Sequence, residues 1–279
     1  MKAKKIILYT GKGGVGKSPL AVEMAIRFAK AGKRVLAIDL DHQAQFTLGL
    51  AEEPSNGLYD FVSARDGSIV DFVKPTRIAG LGLLSSGDES NTAQSIAFVK
   101  HLQRTWLNDA LDKLADTYDV VIVDTAQGGL FVDMAIATAD LILSPVRVVQ
   151  AHVEALTGTP GYVSTIRQSV GLAYPMTVVV PISSLASEHE KKMFAELRGQ
   201  IGGHQPDPMH PHPLDSWALF TLTDRETEEE KPVPITVEID NAKSLPSPVS
   251  LLEYRPKHPV TAAYNQLAAE LSAVLWGGA

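Results

Sequence analysis

The chain has 279 residues, of which 45% are hydrophobic and 20% are charged, and its formal net charge is −7. This balance is typical of a globular protein and argues against a protein coated in basic surface, although it allows a local basic patch. Cysteine is absent, which excludes disulfides, thiolate catalysis and cysteine-ligated metal sites. Because no uncharged run approaches the roughly 18 residues of a spanning helix, we expect a cytoplasmic protein.

Short apolar runs alternate with segments of helical periodicity along the chain. The predicted strands are Lys5–Tyr9, Val35–Leu40, Leu81–Leu84, Val120–Asp124, Leu141–Val146, Met176–Ile182 and Ile235–Ile239. The predicted helices are Leu20–Lys30, about Thr92–Thr117, His152–Gln168, Glu188–Gly199 and Pro259–Leu275. Several strands are apolar throughout, as expected of parallel strands that are buried on both faces. The alternation predicts an α/β fold, a doubly wound and mostly parallel sheet with helices on both faces.

One segment, Gly202–Pro234, departs from this alternation. It is rich in proline and contains His204, His210 and His212, followed by the acidic run Glu226–Glu230. The histidines lack helical ligand spacing and a nearby carboxylate, so we expect solvated residues rather than a metal site. We predict a single domain over the whole chain, with this segment as a loop or insertion.

The segment between the first predicted strand and helix reads GKGGVGKSP. It satisfies the pattern G-x-x-x-x-G-K-[ST] in the strand–loop–helix context that the pattern requires. Glycines let consecutive backbone N–H groups face one anion, and the helix N-terminus adds partial positive charge. We therefore predict a nucleotide site in which Lys17 reaches the β- and γ-phosphates and Ser18 ligates Mg²⁺. Its residues are Gly11, Lys12, Gly13, Gly14, Val15, Gly16, Lys17, Ser18 and Pro19.

The form K-G-G-x-G-K-[ST] resembles the deviant Walker A loop of the ParA/MinD group of ATPases. In that family the extra lysine, here Lys12, crosses a dimer interface to the nucleotide of the other subunit. The resemblance continues through Lys33–Leu50, Tyr118–Gly129 and Ala139–Leu156. The segment Ser244–Leu271 matches the closing segment of chromosomal and plasmid ParA proteins in particular.

Three carboxylates lie in these motifs. Asp39 and Asp41 are two residues apart at a strand end, so both side chains should point towards the loop. The resemblance assigns Asp39 to the Mg²⁺ shell and Asp41 to positioning the attacking water. Asp124 ends an apolar strand, where a carboxylate is costly unless it has work such as holding Mg²⁺ through water. The resemblance thus implies catalytic roles for Lys12 and Asp41.

Two of the three departures of the chain from the family pattern lie in the phosphate loop and in the switch region. Pro19 stands where the family usually has threonine or serine, and although its fixed φ suits a first helical turn, it lacks an N–H for the α-phosphate. We expect affinity to fall about ten- to a hundredfold as a result. The switch region reads Thr125-Ala126-Gln127 where prolines are usual. This difference leaves hydrolysis and its coupling to conformation open.

The resemblance implies a slow ATPase that uses ATP and Mg²⁺, forms a homodimer in the ATP state and positions DNA or another cargo. A ParB-like or other adaptor is expected to stimulate it. Two alternatives stay open. One is a nucleotide-binding scaffold that has lost hydrolysis, and the other is a metabolic P-loop synthetase of the dethiobiotin type.

Two further expectations concern DNA and membranes. ParA relatives carry basic residues before the closing segment, and here Lys243, Arg255 and Lys257 are the possible contacts for weak, sequence-independent DNA binding. If they bind DNA, the protein would be associated with the nucleoid. MinD-type proteins end in a basic amphipathic helix, but Thr261–Ala279 contains no lysine or arginine. We expect this segment to be a packing helix and not a membrane anchor.

Overall fold

The computed structural model describes residues 2–50, 52–64, 68–87, 102–114, 116–202, 217–223, 229–234 and 250–277. Its strands are β1 (Lys4–Leu8), β2 (Val35–Asp39), β3 (Lys74–Pro75), β4 (Leu81–Leu84), β5 (Val120–Asp124), β6 (Leu141–Arg147), β7 (Met176–Ile182), β8 (Trp217–Leu219), β9 (Leu222–Thr223) and β10 (Glu230–Lys231). Its helices are α1 (Lys17–Lys30), α2 (Gln45–Gly49), α3 (Gly57–Ser63), α4 (Trp106–Asp112), α5 (Leu130–Thr138), α6 (Gln150–Thr157), α7 (Thr159–Ser169), α8 (Glu188–Gly202), α9 (Leu251–Tyr254) and α10 (Pro259–Trp276), with a 3₁₀ turn at Ile69–Phe72.

Eight strands form one sheet in the order β3-β4-β2-β5-β1-β6-β7-β8. All neighbours are parallel except β3 and β4, which are antiparallel. The chain winds in one direction from β1 to β4 and in the other from β6 to β8. In such sheets ligands bind beyond the carboxyl ends of the strands, where the winding reverses. The predicted doubly wound, mostly parallel sheet is confirmed.

Helices cover both faces of the sheet because successive residues of its strands point to opposite sides. In β1, Ile6 and Leu8 pack in the core that α1 and α10 close, whereas Ile7 packs in the core that α3, α4, α5 and α7 close. α10 buries Tyr264 and Leu271 against the first of these cores, as predicted for a packing helix. Within the described residues, no helix is both long and apolar enough to cross a membrane.

A buried ion pair fastens α1 to the C-terminal helices. Glu23 and Arg27 contact each other, and the other carboxylate oxygen of Glu23 accepts from the Leu251 N–H at 2.6 Å. The Arg27 guanidinium donates to Asn265 Oδ1 at 2.8 Å and to the Thr261 carbonyl at 3.3 Å. The helix that follows the phosphate loop is therefore held in place by residues more than 220 positions further along the chain.

Several predicted helix boundaries were wrong. α1 begins at Lys17 rather than Leu20, so Pro19 lies within its first turn. The helix predicted over His152–Gln168 is two helices that meet at Gly158, because Pro160 cannot donate to an unbroken helix. In the described part of Thr92–Thr117, the helix ends at Asp112. The predicted strand Ile235–Ile239 lies outside the described residues.

The described parts of Gly202–Pro234 contain short strands, and the assignment of this segment as a loop or insertion stays a prediction. β8 pairs in parallel with β7 at one edge of the main sheet, and β9 pairs with β10. Val233 forms a parallel bridge with Ile182. The proline-rich composition hid these strands, which are only two or three residues long, yet Trp217 is buried against α8. The three histidines lie outside the described residues.

Candidate nucleotide site

The loop between β1 and α1 has the geometry of an anion cradle. Gly14 and Gly16 have φ values of 72° and 101°, a left-handed region in which other side chains are strained. Gly16 precedes α1, and no side chain caps the helix there. The first N–H groups of a helix have no partner within it, so they are available to an anion at this end.

Pro19 is the third residue of α1, and its effect falls on that anion site. The first intrahelical bond runs from the Leu20 N–H to the Gly16 carbonyl at 3.1 Å. An N–H at position 19 would therefore have had no partner within the helix, and proline costs α1 no hydrogen bond. The amides of Lys17 and Ser18 remain as donors in the first turn.

Lys17 lies directly behind this loop. Its side chain is buried, and its ammonium group lies 3.4 Å from the Lys12 carbonyl. Burial lowers the pKa of Lys17, while the nearby carboxylates of Asp124 and Asp41 oppose the shift. Within the described residues the ammonium makes no salt bridge, so a phosphate group at the loop would supply the anion that it lacks.

Asp124 is a buried carboxylate without a partner. It ends β5 with no exposed surface, and neither of its oxygens has a hydrogen bond to any described residue. Burial raises the pKa of Asp124 to about 8, with Asp39 adding to the rise, whereas Ser18 and Lys17 oppose it from nearby. Ser18 lies near Asp124 but is not placed to hydrogen-bond to either of its oxygens. Burial of a charge without a partner is unfavourable, and a bound Mg²⁺ would supply the missing positive charge.

Asp39 lies beside Asp124 in the register of β2 and β5, yet its oxygens are engaged. One accepts from the backbone N–H and the hydroxyl of Thr47, both at 2.9 Å, and the other accepts from the Asp41 N–H at 3.1 Å. Burial raises the pKa of Asp39 to about 6, although these hydrogen bonds counter it. Asp39 thus holds the loop that carries Asp41 and presents few free lone pairs to a metal.

Asp41 is half-buried at the mouth of the site. One of its oxygens accepts from the Gln43 N–H at 3.0 Å and lies 3.3 Å from His42 Nδ1. Ala44, at the end of this loop, has a φ of 49°, which is uncommon for a residue with a side chain. Asp39, Asp41 and Asp124 therefore converge at the carboxyl ends of adjacent strands.

The described residues contain no group of three or more histidine, aspartate or glutamate side chains arranged to hold a metal ion. Mg²⁺ binds proteins through one or two carboxylates together with substrate phosphates and water. Ser18 and Asp124 suit that mode of binding, in which the nucleotide supplies the remaining ligands.

Lys12 is exposed and has no acidic partner among the residues that the structure describes. Its surroundings are cationic. Burial lowers the pKa of His152, and the positive charges of Arg147 and Lys12 lower it further. Gly11, just before Lys12, lies against the junction of α6 and α7, where a β-carbon at position 11 would be 3.6 Å from Thr159 Oγ1. Nothing described in its own chain therefore holds the Lys12 side chain.

A profile of the AAA domain family matches residues 3–171, which is more than half of the chain. The chain belongs to this family. The sporulation initiation inhibitor protein Soj of Bacillus subtilis is 32% identical over 169 residues, covering 58% of this chain and 65% of that protein. The chromosome-partitioning ATPase Soj of Thermus thermophilus is 25% identical over 274 residues, which cover 98% of this chain and 96% of that protein. The chain thus spans slightly under two thirds of the first relative and nearly all of the second.

These relatives confirm the resemblance to the ParA family. Among solved structures, McdA from Cyanothece has TM-scores of 0.75 without nucleotide and 0.74 in complex with ATP, at 17% identity. The superpositions cover 96% of this chain and 99% and 95% of the McdA chains. At this identity the likeness concerns the fold, and it confirms the predicted α/β architecture of ParA-family proteins.

Two residues at the site were not assigned by the sequence analysis. The Gln127 side chain lies on Gly13, and Arg147, at the end of β6, lies close enough to His152 to lower the pKa of its imidazole. The departure of the switch region from the usual prolines pointed to Gln127, but no local pattern pointed to Arg147. Both are close to the phosphate loop only because β5 and β6 flank β1 in the sheet.

The possible DNA contacts are far from this site in sequence. Arg255 and Lys257 are exposed on the turn between α9 and α10. The turn is held by Thr261, whose hydroxyl donates to the Arg255 carbonyl at 2.7 Å, and the Arg255 guanidinium lies 4.9 Å from the Tyr254 ring centroid. Lys243 lies outside the described residues, so the predicted patch of three cations stays a prediction.

Proposed function

We propose that the chain is an ATP- and Mg²⁺-dependent ATPase that dimerises in the ATP state and positions DNA or another cargo. The observation that carries this proposal is Asp124. It is a fully buried carboxylate without a hydrogen bond to the described residues, beside Lys17 and Ser18 at the phosphate loop. A bound nucleotide with its metal would complete this group.

The residues divide the work of binding. The amides from Gly13 to Ser18 and the Lys17 ammonium group would hold the phosphates, and Ser18 and Asp124 would hold Mg²⁺, directly or through water. Mg²⁺ would offset the negative charge that develops on the phosphate oxygens. Asp39 would not touch the nucleotide but would hold the loop that carries Asp41, as its hydrogen bonds with Thr47 indicate.

The exposed Lys12 supports dimerisation. Lys12 is exposed and has no acidic partner among the described residues, so its ammonium group is available to the phosphates of a second subunit. The Lys12 ammonium group would then reach the nucleotide of the partner subunit only in the ATP-bound dimer.

Hydrolysis is proposed to be slow and to depend on an adaptor. Asp41 would position the attacking water, but one of its oxygens is already engaged by the Gln43 N–H. A change in the loop that frees Asp41 would raise the rate, and an adaptor of the ParB type is the proposed trigger. If Arg255, Lys257 and Lys243 contact DNA, the dimer would present two copies of the patch and so bind DNA more tightly than one subunit.

A scaffold that binds nucleotide without hydrolysing it is the second candidate function. Pro19 removes one donor from the phosphate loop, and Ala126 with Gln127 replaces the usual prolines of the switch. The synthetase alternative is less favoured, because the Thermus thermophilus relative that matches 98% of the chain is a chromosome-partitioning ATPase.

The test is ATP hydrolysis with and without DNA, together with the mass of the particle in ATP and in ADP by light scattering. Turnover together with an ATP-specific dimer supports the proposal. An ATP-specific dimer without turnover favours the scaffold. A monomer in both nucleotides contradicts the proposed switch.

A further inference from the structure

We propose that Gln127 is a positioning residue for phosphoryl transfer, whose side-chain amide contacts the γ-phosphate and the attacking water. This inference deepens the proposed ATPase function and rests on it. The structure places the Gln127 side chain in contact with the phosphate loop.

The first step is the position of the side chain. Gln127 Nε2 occupies the space that a β-carbon on Gly13 would need, and Gln127 Cδ lies 3.1 Å from that point. Only a glycine at position 13 leaves room for the amide there. The end of the Gln127 side chain therefore rests on the middle of the phosphate loop.

The second step is the bonding capacity of that amide. Gln127 is exposed, and its amide makes no hydrogen bond to the residues that the structure describes. A glutamine amide carries two N–H donors and a carbonyl acceptor with two lone pairs. The N–H donors and the carbonyl acceptor of Gln127 are therefore available to a ligand at the phosphate loop.

The third step is the anchoring of the segment on both sides. The Thr125 hydroxyl donates to the Leu8 carbonyl at 2.7 Å, which ties the start of the switch to β1. Ala126 packs against the core under α5, and α5 begins at Leu130 directly after Gly129, whose φ is 108°. Because the backbone before and after Gln127 is held in place, its side chain extends only over the phosphate loop.

The chemistry of an amide suits this place. In hydrolysis a water oxygen forms a bond to the γ-phosphorus while the bond from that phosphorus to the bridging oxygen breaks, and the electron pair leaves with ADP. One proton of the water stays on the new phosphate and the other passes to solvent. The Gln127 N–H would donate to a γ-phosphate oxygen and its carbonyl would accept from the water, so the residue orients both without exchanging a proton.

The test compares Gln127→Ala and Gln127→Glu with the parent. Glutamate keeps the size of the side chain but loses the N–H donors and adds negative charge. Gln168→Ala is the matched control, because Gln168 is an exposed glutamine whose amide bonds only to Ser164 of its own helix. The measurements are kcat for ATP and the affinities for ADP and for ATPγS, all with Mg²⁺.

Both Gln127 variants should lower kcat about ten- to a hundredfold. Gln127→Ala should weaken ATPγS binding about three- to tenfold and leave ADP affinity unchanged, since ADP has no γ-phosphate. The control should match the parent. A kcat of Gln127→Ala within about threefold of the parent, or an equal loss for ADP and ATPγS, would overturn the inference.

A parent without turnover would contradict the proposed ATPase and not this contact. The ratio of ATPγS to ADP affinity would then decide, because the amide contact predicts that Gln127→Ala lowers the ratio. An unchanged ratio would show that Gln127 only packs on Gly13.

Discussion

Asp39 and Asp124 lie side by side on adjacent strands, both fully buried, but among the described residues only Asp39 has hydrogen bonds to its carboxylate. Each of these two buried acids disfavours the ionisation of the other. The difference in hydrogen bonding decides which ionises first. Asp39 is charged at the lower pH, and Asp124 keeps its proton until about pH 8.

The first prediction is a pH dependence of stability without nucleotide or metal. The folded-state pKa of Asp124 is raised to about 8, so the folded chain holds a proton that the unfolded chain has already lost. The contribution of this group to stability therefore falls as pH rises from about 4 to about 8. Between pH 6 and 8, Asp124→Asn should lose less stability than the parent, by up to about 3 kcal/mol. Melting temperatures at both pH values check this, and parallel curves would contradict it.

Lys12→Ala should keep nucleotide binding and lose the ATP-dependent dimer. The reason is that the exposed Lys12 ammonium group has no acidic partner among the described residues and contributes only its carbonyl to Lys17. Light scattering in ATP and calorimetry with ADP measure the two properties separately. A variant that dimerises as well as the parent would show that Lys12 does not act across an interface.

Asp41→Ala should slow hydrolysis at least tenfold while ATP still binds, so that ATP dimers outlast those of the parent. Asp41 faces the site, but its carboxylate bonds only within its own loop, so the loss should fall on the reaction. Single-turnover hydrolysis and dimer lifetime are the measurements. Parental turnover would remove Asp41 from the mechanism.

Pro19→Thr should tighten ADP and ATP alike by about ten- to a hundredfold, since both carry the α-phosphate. The change restores one N–H in the first turn of α1, where no intrahelical partner competes for it. The melting temperature without nucleotide should change little. Calorimetric titration with ADP and Mg²⁺ decides, and equal affinities would show that the loop already compensates for the proline.

Arg27→Met should destabilise the fold by about 3–5 kcal/mol, because it leaves the buried Glu23 carboxylate without its partner. Glu23→Gln combined with Arg27→Met should recover much of this loss. The glutamine carbonyl can still accept from the Leu251 N–H, and no uncompensated charge remains. Urea unfolding of the parent, the single variant and the double variant gives the three values. A single variant as stable as the parent would contradict the role of the pair.

The sequence predicted the parts of the site that lie within one short segment. The phosphate loop, the strands that end at Asp39 and Asp124, and the spacing of Asp41 are local patterns. The closeness of Gln127 to Gly13 depends on strand order, which no local pattern encodes. The division of roles between Asp39 and Asp124 depends on Thr47, a residue that no motif singles out.

The long-range pairing of α1 has a consequence for synthesis of the protein. Arg27 bonds to Asn265 and to Thr261, and a ribosome that adds about 5–20 residues per second makes Thr261 roughly 12–50 s after Arg27. During that interval α1 has been made, but Thr261 and Asn265, which accept hydrogen bonds from Arg27 in the folded protein, have not. We therefore expect α1, the helix that follows the phosphate loop, to reach its folded position only after Thr261 and Asn265 have left the ribosome.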